Sequence, residues 1–296
     1  MGINEKFKEK NTVISFEIFP PKETSSLNTV YNTVDALAHL HPDYISVTYG
    51  AGGTSKNKTV EISSIIKNKY NIDSLAHLTC ISSCKNEIDE ILFNLQENNI
   101  NNVLALRGDI PHDVVFSIPN PIEFNYSSDL ISYVKSKGDF CVAAACYPEG
   151  HLDSPTKESD WENLQYKINL GTDFLISQLF FENKYFYQLN DHLKEKGINT
   201  PLQAGIMPIT NKAQINKIIS LCGAKLPKRY ENIINKFGDS PQALQDAGIA
   251  YATEQIIDLL ANGVDGIHIY TMNKPEIAKQ IVRNISSVVN SINNIY

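Results

Sequence analysis

Eight short β-prone runs, separated by segments of helical period and joined in one unbroken series, predict a closed α/β barrel of the (β/α)8, or TIM-barrel, class. The rival open, doubly wound sheet would carry a G-x-G-x-x-G fingerprint after an early strand, and none follows any of these runs. Length agrees: 296 residues, 42% of them apolar, can fill one barrel of about 250 residues with its connections. One domain spanning 1–296 is therefore expected, with no repeat, low-complexity tract or interdomain linker.

The strand candidates are VISFEIF (13–19), YISVTY (44–49), LAHLTC (75–80), NVLALR (102–107), FCVAAACY (140–147), FLISQLF (174–180), LQAGIMP (202–208) and GIHIYT (266–271). After the first, LNTVYNTVDALAHL places Leu27, Val30, Val34, Leu37 and Leu40 on one helical stripe. After the second, TSKNKTVEISSIIKNKY opens with the N-cap candidate Thr54, following Gly52-Gly53. After the third, NEIDEILFNLQENN carries Ile88, Ile91, Leu92 and Leu95 at helical spacing. Two connections are long: Gly108 to Asn125, with three prolines, and 209–265, long enough for two or three helices. A last helix begins near Pro275, a residue suited to a first helical turn.

Charge and cysteine content exclude several classes. A formal net charge of −7 argues against general nucleic-acid binding. The longest apolar runs are strand-sized, so no membrane association is expected. The opening MGINEKFKEKN lacks an apolar signal core, and five cysteines, an odd number, suit free thiols; both point to the cytoplasm. Cys80 and Cys84 near His77 invite a zinc reading, but the spacing is poor and no second ligand pair follows, so no metal is expected.

In such barrels, functional groups project from the C-terminal strand ends and the loops beyond them. Those ends carry Glu17, Thr48 with Tyr49, His77, Arg107 with Asp109, Tyr147, Gln178, and Tyr270 with Lys274; only the seventh, ending GIMP, lacks a polar group. Two carboxylates, cations, an amide and aromatic faces suit a polar heteroaromatic ligand bearing phosphate. Glu17 interrupts the apolar VISFEIFPP, and burial is how a carboxyl becomes a proton donor near neutral pH; a rim salt bridge is the plain alternative. Arg107 precedes Gly108 in ALRGD and can clamp phosphate, whereas a surface Arg–Asp pair would contribute under about 1 kcal/mol. His77, flanked by apolar residues, reads first as a core histidine. Gln178 needs hydrogen-bond partners at a barrel mouth, and Ala143-Ala144-Ala145 leaves room for a flat ligand or forms a small-residue packing layer. Asp160, Asn163 and Lys167 share one helix face beyond strand five.

SFEIFPPK (15–22), SVTYGAGG (46–53), HLTC (77–80), ALRGD (105–109), AACYPEGH (144–151), SQLFFE (177–182), GIMPI (205–209) and HIYTMNK (268–274) occur in this order. The series resembles the motifs of the methylenetetrahydrofolate reductases across nearly the whole chain, at the spacing of the bacterial, single-domain members. The resemblance implies a (β/α)8 flavoprotein in which NAD(P)H reduces FAD and the flavin then reduces methylenetetrahydrofolate to methyltetrahydrofolate. It implies Glu17 as general acid and Asp109 as the carboxylate beside flavin and pterin. It implies Gln178, Lys274 and Thr48 at the substrate; Lys274 stands where many relatives have Arg. For FAD it implies Thr48, His77, Arg107, Gly108, Asp109, Tyr126, Ser127, Tyr147, His151, Asp160, Asn163 and Lys167, with Arg107, His77 and Lys167 facing the diphosphate. It further implies a homo-oligomer.

Two departures stand out. Tyr166 occupies a position where some bacterial relatives have an Arg toward the cofactor, leaving FMN as the alternative flavin. Lys212 stands where some have a Phe that stacks on substrate, leaving open NADH or NADPH as donor and an electron-donor partner protein. Two rivals differ in kind. A Schiff-base barrel enzyme would have a lysine inside a strand, and none of the eight has one. A flavin- or folate-binding subunit would be active only with a partner.

Overall fold

The computed structural model describes residues 2–21, 27–49, 56–109 and 122–294. Its strands are β1 (Val13–Ile18), β2 (Tyr44–Val47), β3 (Asp73–Thr79), β4 (Asn102–Leu106), β5 (Cys141–Cys146), β6 (Phe174–Ser177), β7 (Leu202–Ile206) and β8 (Gly266–Tyr270). They close in sequence order, every pair parallel, with β8 returning to β1 through Ser15 opposite His268 and Glu17 opposite Tyr270. This is the (β/α)8 barrel that the alternation predicts.

The helices among the described residues are α1 (Ile3–Glu9), α2 (Leu27–Ala38), α3 (Lys56–Tyr70), α4 (Lys85–Glu97), α5 (Ser127–Ser136), α6 (Lys157–Asn169), α7 (Asn183–Glu195), α8 (Lys212–Cys222), α9 (Lys228–Phe237), α10 (Pro241–Ala261) and α11 (Pro275–Ile292). The long 209–265 connection thus holds three helices, α8 to α10. Thr54, Gly52-Gly53 and most of the Gly108–Asn125 connection lie outside the described residues. None of the described helices is long and apolar enough to cross a membrane.

Side-chain alternation along the strands divides the core in two. Outward residues such as Phe16, Ile18, Val103, Val142, Ile267 and Ile269 pack against the helix stripes, including Val30, Val34, Leu37, Ile88 and Ile281, in one large cluster. Inside the barrel a separate cluster joins Val13, Tyr44, Leu75, Leu104, Cys141, Ala143, Phe174 and Ile176 to Ile3. Ile3 and Phe7, at i and i+4, come from α1, which closes the N-terminal end. The Ile3 N–H donates to Asn102 Oδ1 at 2.8 Å, and the Phe7 ring lies 5.2 Å from that of Phe174. The charged appearance of the N-terminus hides this plug.

The sequence-derived strands overrun the sheet at their C-terminal ends. β6 stops at Ser177, where the Gln178 N–H donates to the Cys146 carbonyl at 2.7 Å; Leu179 and Phe181 leave for a satellite core with Ile209, Ile215, Tyr230 and Leu244 beneath α8 to α10. Apolarity continues past the strand, so pattern alone misses its end.

Candidate active site

Glu17 sits near the C-terminal end of β1, 7% exposed, with its neighbours Phe16 and Ile18 turned outward into the helix layer. Its Oε2 lies 3.5 Å from His77 Nε2 on β3 and 3.6 Å from His268 Nε2 on β8. The interior is therefore polar where these strands meet. Neither a lysine nor an arginine pairs with Glu17 among the described residues. Burial pushes the His77 imidazole down to about 4; the nearby Glu17 carboxylate opposes this without overcoming it, and His268 adds to it. His77 is neutral at pH 7, and its Nε2 has no hydrogen-bond partner among the described residues.

The end of β1 is held from β8. The Thr271 hydroxyl donates to the Glu17 carbonyl at 2.6 Å. The Asn273 carboxamide grips Phe19 twice, accepting from its N–H and donating to its carbonyl, both at 2.9 Å. Met272 and Asn273 adopt φ of 52° and 55°, left-handed values that Asn tolerates better than most side chains. The turn after β8 thus sets the backbone from which Glu17 projects. Lys274 follows as the N-cap of α11 and reaches Thr210 Oγ1 at 3.3 Å.

A second group gathers beyond β4 and β5. Arg107 pairs with Asp153 at 2.8 Å, the Asp153 N–H donates to His151 Nδ1 at 3.0 Å, and the His151 ring meets Tyr147 edge-on with centroids 4.6 Å apart. Gly108 has φ of 84°, and a Cβ there would come within 2.9 Å of Thr79. Asp109 is exposed at the start of the following loop and helps keep the Tyr147 phenol protonated, behind the larger effect of burial. On α6, Lys167 is part-buried and donates to the Ala145 carbonyl at 2.7 Å. It has no carboxylate within ion-pair distance among the described residues, and burial pulls its pKa down. Asp160 accepts from Ser154 Oγ at 3.2 Å, while Asn163 and Tyr166 are exposed. Tyr126, also exposed, precedes Ser127 at the start of α5, and its carbonyl accepts from Cys80 Sγ at 3.5 Å.

The remaining positions are more separate. The Thr48 N–H donates to the Ile18 carbonyl at 3.0 Å, tying β2 to the β1 end. Gln178 turns its Oε1 back to the Leu179 N–H at 2.8 Å. Lys212 opens α8 and pairs with Asp239 at 3.3 Å on the protein surface. Cys80 is buried with its thiol pushed up to about 12, and no three His, Cys, Asp or Glu groups among the described residues are arranged to hold a metal. A recess of about 390 Å³ lies between the β6–α7 loop and α10, and its Arg229 is already matched to Glu254.

Sequence reasoning missed Ser15, Ser46, Gln203 and His268, all fully buried in the barrel. The usable signal is alternation: Ser15 and Glu17 share a face of β1, and His268 and Tyr270 share one of β8.

The comparisons with known proteins agree with the architecture. The chain is 30% identical over 272 residues to the 5,10-methylenetetrahydrofolate reductase of Pectobacterium carotovorum, covering 92% of this chain and 89% of that protein. It is 32% identical over 303 residues to methylenetetrahydrofolate reductase (NADH) 1 of Arabidopsis thaliana, covering 97% of this chain. The chain spans about half the length of such plant relatives, 51% in the Arabidopsis case. Among solved structures, a Clostridium thermocellum protein described as binding two copies of 5-methyl-5,6,7,8-tetrahydrofolic acid superposes with a TM-score of 0.63 at 14% identity, over 99% of this chain and 100% of that one. At that identity the likeness shows the fold alone. The sequence model of the methylenetetrahydrofolate reductases matches residues 2–286, and the chain belongs to that family.

Proposed function

We propose that the chain reduces methylenetetrahydrofolate to methyltetrahydrofolate through a bound flavin, FAD by preference, with NADH or NADPH as hydride source. The observation that carries this reading is a buried carboxyl, Glu17, set at a strand end among two histidines and free of any cationic partner among the described residues. The names of the relatives supply the reaction; the local chemistry supplies the means.

The residues present fit an anionic dinucleotide. Among the described residues Lys167 bonds a carbonyl and has no carboxylate at ion-pair distance, and the Arg107 partner Asp153 is 63% exposed, so that pair gives way to a phosphate at small cost. Arg107 and Lys167 would hold the diphosphate with His151, because His77, expected there, sits beside Glu17 instead; the Tyr147 ring and the turn at Gly108 would border the flavin, and Tyr126 and Ser127 would lie toward its nucleotide end. Bound flavin supplies a hydride carrier between nicotinamide and folate. Glu17 would donate the proton that the folate nitrogen needs when its C–N bond opens. Asp109 places negative charge where an iminium cation develops on the substrate. Gln178, once turned from its own backbone, offers both a donor and an acceptor to a pterin edge. Lys274 meets the folate carboxylates as a point charge rather than a bidentate fork.

The test begins with a visible spectrum of the purified protein, chromatography of heat-released cofactor and anaerobic NADH addition. FAD, bleached by NADH, supports the proposal. Glu17→Gln should then still bleach but lose at least about a hundredfold in the folate-dependent reoxidation, the scale of a general acid's contribution. FMN, or flavin that NADH leaves oxidised, moves the reading to a partner-fed enzyme. Protein that takes up neither flavin refutes it.

A further inference from the structure

Below Glu17 the barrel interior contains a hydrogen-bonded chain that no part of the proposed chemistry uses directly. His268 is fully buried. Its Nδ1 lies 2.7 Å from Ser15 Oγ, and its Nε2 faces Ser46 Oγ at 3.4 Å and Glu17 Oε2 at 3.6 Å. Ser15 Oγ is 3.1 Å from Gln203 Nε2, which is also 3.2 Å from the Val13 carbonyl. Gln203 Oε1 accepts from the Tyr44 hydroxyl. Four strands, β7, β8, β1 and β2, contribute.

The direction of every hydrogen bond in this chain follows from its far end. The Val13 carbonyl can only accept, so the amide nitrogen of Gln203 must face it and the amide oxygen must face Tyr44. Tyr44 therefore donates, and burial raises its phenol far above the usual range, so the proton stays there. The second amide hydrogen of Gln203 goes to Ser15. The Ser15 hydroxyl proton then faces His268 Nδ1 at 2.7 Å, the Ile267 carbonyl at 3.5 Å and the Tyr44 oxygen, and the short contact to Nδ1 is the best of these. Nδ1 accepts, so an imidazole bearing a single ring proton carries it on Nε2.

We propose that His268 is a positioning residue for Glu17, held by the Tyr44–Gln203–Ser15 chain in the tautomer that presents Nε2–H to Ser46 Oγ at 3.4 Å and Glu17 Oε2 at 3.6 Å. The inference rests on the reading of Glu17 as the acid. Groups facing His268 are Ser15 and Glu17 from β1, Tyr44 and Ser46 from β2, His77 from β3, Gln203 from β7 and Tyr270 from β8. Among them Tyr270 gives its own proton to the Ser177 carbonyl at 2.9 Å, and burial keeps it protonated. The chain ends at Tyr44 inside the apolar plug with Ile3, Leu75 and Phe174. It therefore has no outlet to solvent at that end: His268 orients the carboxyl, and the proton Glu17 gives up is replaced from the mouth.

The experiment is ¹⁵N NMR of the flavin-loaded protein with labelled histidine, at a pH above the ordinary histidine range. The His268 signals are assigned by their loss in His268→Gln or, should that variant not fold, by their shift in Ser15→Ala. Nδ1 resonating as an unprotonated nitrogen and Nε2 as a protonated one is the expected result; a proton on Nδ1 overturns the proposal whatever the enzyme's activity. The second readout is rescue with methylenetetrahydrofolate and NADH. Gln at position 268 offers an amide near the Nε2 position and should retain most of kcat. Asn places its amide near Nδ1 and should lose roughly tenfold or more, the scale of one hydrogen bond to a charged group. Equal activity in the two variants, with both folded by circular dichroism, overturns the positioning role. If the wild type fails to turn over folate while the tautomer is as assigned, the functional reading fails and the tautomer assignment stands.

Discussion

Replacing His77 by glutamine and following stability from pH 7 to pH 4 isolates the cost of keeping an imidazole neutral beside Glu17. Burial lowers His77 from 6.5 to about 4. Above pH 6.5 the ring is neutral in both folded and unfolded chains and contributes no pH dependence. As pH falls below 6.5 the unfolded chain takes up a proton that the folded one refuses, so stability is lost, and the loss levels off below the folded value. With these two values the loss is roughly 2 kcal/mol at pH 5 and roughly 3 kcal/mol at pH 4. Glutamine keeps a polar side chain but cannot titrate, so the variant lacks this term while retaining every carboxylate effect of the wild type. The assay is urea unfolding of both proteins at matched pH values, read as the difference between their unfolding free energies. That difference should shift against the wild type by roughly 3 kcal/mol between pH 7 and pH 4. Parallel curves would refute the argument, because they would mean that His77 accepts its proton in the folded protein as readily as in water.

Gly205→Ala should lower stability by roughly 3 kcal/mol in urea unfolding, since a Cβ there would lie 2.2 Å from the Ser177 carbonyl and 2.8 Å from the Tyr270 hydroxyl; an unchanged midpoint would show that β6 and β8 can move apart. Asn273→Ala removes both contacts to Phe19 and places alanine at φ of 55°, which should destabilise by roughly 2 kcal/mol and speed hydrogen exchange of the Phe19 amide. Exchange as slow as in the wild type would show that the grip does not hold the β1 end. Lys167→Met should weaken flavin binding roughly tenfold by equilibrium titration while leaving the flavin-free protein at least as stable, because it removes a part-buried cation with no carboxylate at ion-pair distance among the described residues; undiminished affinity would remove Lys167 from the diphosphate site.

The order and number of strands were legible because each is a short apolar run followed by a helical stripe; the α4 stripe is buried where the pattern put it, as are Val30, Val34 and Leu37 of α2, while Leu27 is half-buried and Leu40 falls past the helix end. What pattern could not show was where apolarity changes its purpose. In FLISQLF the run continues past Ser177, yet only its first four residues pair in the sheet, and Leu179 supports a different core. In the N-terminal segment Ile3 and Phe7 stand among charges, and two apolar residues one turn apart carry too little signal to announce a helix. They matter because an eight-stranded barrel leaves an open end that needs an apolar lid.

The site was legible one residue at a time and illegible as an arrangement. Glu17 could be found because a carboxylate inside an apolar run is costly enough to need a reason. His268 in GIHIYT could not, since a histidine among isoleucines reads as an ordinary core residue, and its partners Ser15 and Ser46 lie 253 and 222 residues away in sequence. Closure of the sheet is what joins them. It makes β7, β8, β1 and β2 consecutive, so their inward polar residues form one arc, with His77 of β3 at its edge. The opposite arc, β4 to β6, lines the interior with Leu104, Ala143, Phe174 and Ile176 and bears its cations only at the rim, on Arg107 and Lys167. Burying polar groups is tolerable when they satisfy one another, and four adjacent strands let Tyr44, Gln203, Ser15 and His268 do so in a single line. Glu17 ends that line near the C-terminal end of β1, beside His77 and His268. On the proposed function, the division would place proton donor and anion-holding residues in different halves of the strand order: an interior network that orients an acid needs polar neighbours on adjacent strands, whereas phosphate requires only cations at the edge of an apolar wall.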